Sequence, residues 1–262
     1  MIELPSLIPA GTSYVRIPRS KAATMRLILE TVQRGSRYWT GGVIPIEKAL
    51  RLSDKFARLY GTSASQSKRA WDKSQGRSNS MLIMYPEDDR ALTPVRWWLL
   101  VTPGIGLVFK EEQLLDTWNK RERLTWGEQY ELIHLQRGRE CGGGRRWTWQ
   151  MQSTRYEEMQ LSMHQFASAH GNKSTDRTDD LTSLLAAIKS MPGFHGIRMQ
   201  QIELYRLGKT TWNKTHFDPF SGWPGDVPYT DKRQLIYHRP TPLRLDILES
   251  IFSAKQAHLR DT

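Results

Sequence analysis

Four basic side chains recur at helical spacing in IEKALRLSDKFARLY, residues 46–60, where they could follow a row of phosphates. Separations of three, four and three residues place them on one helical face, and they are Lys48, Arg51, Lys55 and Arg58. At about 5.4 Å per turn this basic stripe spans about 15 Å, a length that covers several phosphates of a nucleic-acid strand. Most charged helix faces are simply solvated, and that alternative stays open.

A second basic cluster, combined with an aromatic ring, follows in TSASQSKRAWDKSQGRSNS, residues 62–80. Lys68 and Arg69 precede Trp71, and aromatic rings between basic side chains suit base stacking combined with phosphate contact. A lone tryptophan also serves to anchor a segment onto a core. The sequence is compatible with both roles and predicts either a short helix or a linker here.

Basic residues also bracket three glycines in RGRECGGGRRWTWQM, residues 137–151. The run lacks the Gly-Lys-Ser/Thr ending of a phosphate-binding loop, so nucleotide hydrolysis is not expected. Trp147, Trp149 and Met151 alternate with polar residues, which predicts a strand that follows a hairpin tip and packs this face on the core. We expect Arg139, Arg145 and Arg146 at this tip to provide a second contact to phosphates.

Two histidines are the candidates for catalysis, because metal-free cleavage of RNA needs only a general base and a nearby cation. His216 and His238 lie in or beside predicted loops, close in sequence to Lys214 and Arg239. An endoribonuclease that acts on structured RNA without a metal is therefore an alternative function. Binding without catalysis is favoured.

A metal site is not expected from the sequence. The acidic triplet 87–89 falls in a predicted turn between two strands, where polar residues are common, and the next strand carries no acidic residue. The seven histidines are scattered and form no HExxH motif. No cofactor is predicted either.

The charge of the chain is strongly positive and unevenly distributed. The 262 residues hold 38 Lys and Arg against 27 Asp and Glu, a net charge of +11. Residues 1–80 contain 14 of these basic side chains and only 5 of the acidic ones, whereas the other 182 residues hold 24 and 22. A located basic surface, for nucleic acid or an acidic protein, is thus expected in the first third.

The remaining global features predict a cytoplasmic protein without a membrane partner. Cys141 is the only cysteine, so no internal disulfide forms, which is consistent with a reducing compartment. The N-terminal segment lacks the layout of a signal peptide. No apolar stretch reaches the roughly 18 residues that span a bilayer.

Periodicity predicts an α+β fold: a central antiparallel sheet of about four to six strands between a basic N-terminal helical region and a C-terminal helical region. The regions are residues 1–80, 81–152 and 153–262, expected to form one compact unit. Helices are predicted at residues 21–34, 46–60, 154–170, 180–191, 194–212 and 242–260, the fifth of these after a break at Pro192 and Gly193. Strands are predicted at residues 12–18, 80–86, 94–104, 129–137, 145–151 and 234–239, and a small helix at EEQLLDTW, residues 111–118.

The function expected from these features is binding of DNA or RNA, chiefly through the phosphate backbone. The basic stripe, the residues around Trp71 and the arginines of the hairpin tip would make the contacts. Protein partners within a larger nucleoprotein complex are compatible with this function. A protein–protein adaptor, whose basic face meets an acidic partner, is the other non-enzymatic alternative.

Overall fold

The computed structural model describes residue 18 and the ranges 20–87, 94–136, 144–168 and 174–227. Seven helices and two antiparallel sheets, of four and three strands, lie within these ranges, so the predicted α+β class is confirmed. Among these residues, those up to Glu122 form one compact unit and those from Arg123 onward form another. No helix within these ranges is both long enough and apolar enough to cross a membrane.

The first unit contains four helices and a four-stranded sheet. Its elements are α1 Lys21–Gln33, β1 Tyr38–Ile44, α2 Ile46–Tyr60, α3 Gln66–Ser74, β2 Ser80–Pro86, β3 Val95–Val101, α4 Val108–Glu111 and β4 Leu115–Asp116. The strand order is β2-β3-β1-β4, and each neighbouring pair is antiparallel. The predicted strand at 80–86 and helix at 46–60 are confirmed at both ends.

Local capping explains where the helices of this unit begin and end. The hydroxyl of Ser20 accepts a hydrogen bond of 3.2 Å from the Ala23 amide, as expected for the N-cap of α1. Gly61 ends α2 in the left-handed conformation, with φ 64°, and donates its amide to the Ala57 carbonyl. Glu47 in the first turn of α2 and Arg58 in the last complement the helix dipole.

Helices cover both faces of the first sheet. On one face, Leu82 of β2 and Leu99 of β3 belong to the buried cluster that includes Phe56 of α2. Met81 is the next residue on β2 and therefore points to the other face, where Thr31 of α1 contacts its sulfur at 3.5 Å. β3 is thus central and buried on both sides, as the apolar character of both its faces predicts.

The sequence prediction missed β1 and was wrong about residues 111–118. The glycine pair 41–42 weakens any strand signal, yet β1 pairs along its whole length with β3. A Cβ at Gly41 would lie 2.6 Å from the Trp97 carbonyl oxygen, so a side chain is excluded there. EEQLLDTW contains the end of α4 and then β4, which pairs with β1, instead of a helix of its own.

The second unit contains a three-stranded sheet and three helices. Its elements are β5 Thr125–Trp126, β6 Tyr130–Gln136, β7 Arg145–Met151, α5 Ser153–Ala167, α6 Ser174–Lys189 and α7 His195–Thr215. The order is β5-β6-β7. The strands predicted for one central sheet are therefore shared between two sheets. α6 begins at residue 174, six residues before the start of the helix predicted at 180–191.

The aromatic face of β7 belongs to the core of this unit. Trp147, Trp149 and Met151 are all buried, which confirms the prediction that they pack inward. α7 packs on β7, and the amide of Gly196 donates to the Thr148 hydroxyl at 3.1 Å. A Cβ at Gly196 would lie 2.5 Å from the Trp149 carbonyl oxygen, so this close approach requires glycine.

Some predicted elements fall outside the described residues. They are the final strand at 234–239, the final helix at 242–260, and all but the last residue of the strand at 12–18.

Candidate nucleic-acid interface

The basic stripe lies on the solvent face of α2. Lys48, Arg51, Lys55 and Arg58 are all exposed. With about 100° of rotation per residue, the four side chains occupy an arc of about 80°, opposite the buried Ile46, Ala49 and Phe56. The same amphipathic pattern that fixes α2 on the sheet thus presents the four charges outward.

Three of the four cations of the stripe are free of ion pairs within the described part of the chain: Lys48, Arg51 and Arg58 have no carboxylate within 4.0 Å. Lys55 is the exception, because its Nζ lies 3.3 Å from Glu112 Oε1. The hydroxyl of Tyr60 donates to the same carboxylate oxygen at 2.6 Å. Burial, followed by this hydrogen bond, raises the pKa of Tyr60.

Trp71 is exposed and lies beside two cations. It projects from α3 with 50% of its surface accessible, so it does not anchor the segment into the core. Lys68 Nζ lies 4.5 Å from the centroid of its ring, and Arg77 Cζ lies 5.2 Å from it. Asp72 pairs with Lys68 at 2.6 Å and with Arg77 at 3.8 Å, and it partly offsets the charge of both. A half-exposed indole beside two cations is a surface on which a base can stack.

Arg77 joins this cluster through a turn that the sequence pattern did not reveal. Gly76 adopts φ 68°, and the Arg77 amide donates to the Asp72 carbonyl at 2.9 Å. The chain therefore folds back at the end of α3 and returns Arg77 to Trp71. Their separation of six residues is not a helical spacing, so only the basic composition of the segment pointed to Arg77.

Arg69 serves the fold instead of the exposed surface. Its Nε donates to the Ala64 carbonyl at 3.1 Å and its Nη2 to the Thr62 carbonyl at 2.6 Å. Burial lowers the pKa of this guanidinium, which nevertheless keeps its charge. The side chain thereby ties α3 to the loop that follows α2 and is not part of the proposed contact surface.

The arginines predicted at the hairpin tip are described only in part. Arg145 and Arg146 begin β7 and are exposed, on opposite faces of the strand. Arg146 and Arg198 both lower the pKa of His195, after the larger effect of burial. Arg139 lies outside the described residues. The sheet therefore does not bring Arg145 and Arg146 to one face.

Of the two catalytic candidates, His216 lies in an aromatic cluster and His238 lies outside the described residues. The ring of His216 stacks on Trp212, with centroids 3.7 Å apart and planes 5° from parallel. Its Nδ1 lies 2.9 Å from the Thr215 hydroxyl. Phe220 continues the cluster, 5.0 Å from the Trp212 ring. Through these contacts the His216 ring is part of the aromatic packing at the end of α7.

The acidic turn is likewise described only in part. Glu87 pairs with Arg96 at 2.6 Å, and residues 88 and 89 lie outside the described ranges. Within those ranges no three His, Cys, Asp or Glu side chains come together in the manner of a metal site.

Comparison with protein-family models, with curated proteins and with solved structures finds no match to this chain.

Proposed function

We propose that this protein binds nucleic acid through the phosphate backbone, with the basic stripe of α2 as the main contact and Trp71 as a stacking platform. The observation that carries the proposal is the stripe itself: four exposed cations on one helical face, three of them without an ion pair within the described ranges. Such cations are hydrated and not held in an ion pair, although Glu47 and Asp54 of the same helix temper their charge. A phosphate therefore displaces only water and counterions when it approaches them.

The stripe suits a backbone because it is linear. Its length of about 15 Å matches several successive phosphates, and each neutralised phosphate releases condensed counterions. Lys55 contributes less than its neighbours, since a phosphate competes there with Glu112, 3.3 Å away. The stripe accordingly supplies three to four phosphate contacts, which favour binding without selecting a sequence.

Trp71 adds a contact of a different kind. Its exposed indole offers a flat apolar surface to an unpaired base, while Lys68 and Arg77 lie close enough to contact the phosphates that flank it. Stacking needs a base that is free of the duplex. The arrangement therefore favours single strands, loops and exposed ends over a continuous duplex.

The proposal is tested by removing the charge of the stripe while the fold is kept. In the stripe variant all four cations become glutamine, which retains helix propensity: K48Q/R51Q/K55Q/R58Q. The control variant removes the same number of charges from other exposed cations of the same unit: R34Q/K110Q/K120Q/R121Q. Fluorescence anisotropy with a labelled single-stranded oligonucleotide then gives the affinity of each protein.

We expect the stripe variant to lose at least about tenfold in affinity at about 50 mM salt, and the control variant to lose much less. Equal losses in the two variants would mean that only total charge matters, and would contradict the proposal. Absence of binding by the unmodified protein at this salt concentration would favour the adaptor alternative, in which the basic face meets an acidic protein.

A further inference from the structure

A cavity of about 600 Å³ lies along α7 in the second unit, between this helix and residues 224–227. It has the volume of a small-molecule site, for which about 300–1,000 Å³ is usual. Neither the length nor the composition of the chain indicated it. Four of the residues of α7 that line it are three to four positions apart, so they lie on one face of the helix: Arg198, Ile202, Arg206 and Lys209.

The wall opposite α7 is fixed at two points. Arg198 donates from Nε and Nη2 to the Val227 carbonyl, at 2.8 and 2.6 Å. At the other end the Trp223 ring rests on Gly208, where a Cβ would lie 2.7 Å from it. The glycine thus allows the ring to approach the helix. A segment held at both ends gives the cavity a defined width.

The charges that line the cavity favour an anion. Arg206 and Lys209 are exposed, and neither has a carboxylate within 4.0 Å in the described part of the chain. Asp226 also lines the cavity and is the acidic side chain there. Two cations one helical turn apart match the spread of the oxygens of one phosphate group.

Tyr205 also lines the cavity. Only 6% of its surface is accessible, and its hydroxyl is buried without a hydrogen-bond partner within the described ranges. Burial raises the pKa of this hydroxyl to about 12, so it stays protonated at neutral pH. Because solvent does not reach the hydroxyl, it is the two cations that favour an anion.

We propose that this cavity binds a nucleoside monophosphate group, with its phosphate on Arg206 and Lys209. A phosphate alone would fill a small part of about 600 Å³. Ile202 and Pro224 offer apolar contact to a flat base, and Asp226 offers an acceptor for sugar hydroxyls. Such a group occurs both as a free nucleotide and at the 5′-phosphorylated end of a strand. The site uses none of the stripe residues, so it stands or falls independently of the proposed function.

Isothermal titration calorimetry on the full chain tests this site with four probes: adenosine 5′-monophosphate, adenosine, and an eight-nucleotide strand with and without its 5′-phosphate. The site variant is R206Q/K209Q. Its matched control, K189Q/K214Q, removes two exposed cations of the same unit that do not line the cavity. Asn213→Asp, which places a negative charge in the lining, is an additional variant that leaves both cations in place.

We expect saturable binding of one phosphorylated probe per chain, and weaker or no binding of the same probe without its phosphate. The site variant and Asn213→Asp should each weaken this binding at least about tenfold, whereas the control pair should leave it unchanged. Binding of the mononucleotide would assign the cavity to free nucleotides. Binding of the phosphorylated strand alone would assign it to strand ends. No saturable binding of either, or equal weakening by the site and control pairs, would overturn the proposal.

Discussion

Individual tryptophans of this protein have opposite roles, and accessibility decides between them. Trp98 and Trp149 are almost fully buried, at 2% and 0% accessibility, and stabilise the two sheets. Trp71 has half of its surface exposed and two cations beside it. Periodicity in the sequence predicted the inward packing of Trp149, which the structure confirms. It left the role of Trp71 open, because a short polar helix with one aromatic residue has no defined apolar face.

Replacement of Trp71 by alanine is expected to weaken binding of a single strand by about 1–3 kcal/mol, the usual contribution of one stacked base. The free energy of unfolding should change by less than about 1 kcal/mol, because the ring is largely outside the core. Trp71→Phe, which keeps a stacking surface, should retain most of the affinity. Anisotropy titrations and urea unfolding measure the two quantities. A large loss of stability in Trp71→Ala, with affinity unchanged, would assign the ring to packing.

For Arg69 we expect the opposite of Trp71: its replacement should lower stability and leave nucleic-acid binding unchanged. Arg69→Gln removes its hydrogen bonds to the Thr62 and Ala64 carbonyls, so the free energy of unfolding should fall by about 1–3 kcal/mol. Arg69→Lys should not restore it, since an ammonium lacks the fork that reaches both carbonyls. Urea unfolding checks the change. Unchanged stability together with weaker nucleic-acid binding would show that Arg69 contacts the ligand instead.

At the scale of elements, regular amphipathic segments were predictable and irregular ones were not. α2 and β7 carry strong periodic patterns, and both predicted ranges agree with the structure at each end. β1 was not predicted because its two glycines give no pattern of alternating apolar residues. Gly41 is nevertheless required, because a Cβ at this position would lie 2.6 Å from the Trp97 carbonyl oxygen. That requirement comes from a strand more than 50 residues away in the sequence. Local sequence cannot express it.

Gly41→Ala is therefore expected to lower the free energy of unfolding by about 1–3 kcal/mol, because β1 and β3 must move apart to admit the methyl group. Gly225→Ala is the matched control, since a Cβ there meets nothing within 4 Å. Urea unfolding compares the two variants. Equal stability of Gly41→Ala and the unmodified protein would show that β1 and β3 can accommodate a methyl group at this position without cost.

An ion pair between Arg37, directly before β1, and Asp116 of β4 should make the stability of the protein depend on pH. Arg37 donates to Asp116, with Nη2 2.7 Å from Oδ2. This hydrogen bond holds the pKa of the Asp116 carboxyl below its usual value. The ion pair therefore contributes fully to the free energy of unfolding above the pKa of Asp116 in the unfolded chain, about 3.9. This contribution is lost as the pH falls through the lower pKa of Asp116 in the folded protein.

Asp116→Asn should consequently reduce stability at pH 7 and also make stability less sensitive to acid. The drop in the free energy of unfolding between about pH 5 and pH 2.5 should be smaller in the variant than in the unmodified protein. Urea unfolding at several pH values measures this difference. Identical pH profiles would show that the pair does not contribute.

At the scale of the whole molecule, the uneven charge was the most informative feature of the sequence. Of the excess of nine positive charges in residues 1–80, five lie on α2 and in the segment around Trp71, and four lie in residues 1–37. The division of the strands into two sheets was not predictable, because the choice of partner strands depends on contacts between distant segments. The cavity on α7 was missed for a related reason: its second wall comes from a loop whose position is set by Arg198 and Gly208.

The salt dependence of nucleic-acid binding tests the central claim most directly. The three to four phosphate contacts of the stripe are expected to contribute about −2 to −3.5 to the slope of log K against log salt. The slope of the stripe variant should be less steep by about that amount, with only the contribution of cations such as Lys68 and Arg77 remaining, and the control variant should keep the slope of the unmodified protein. An unchanged slope in the stripe variant would contradict the assignment of α2 as the surface that contacts the phosphates.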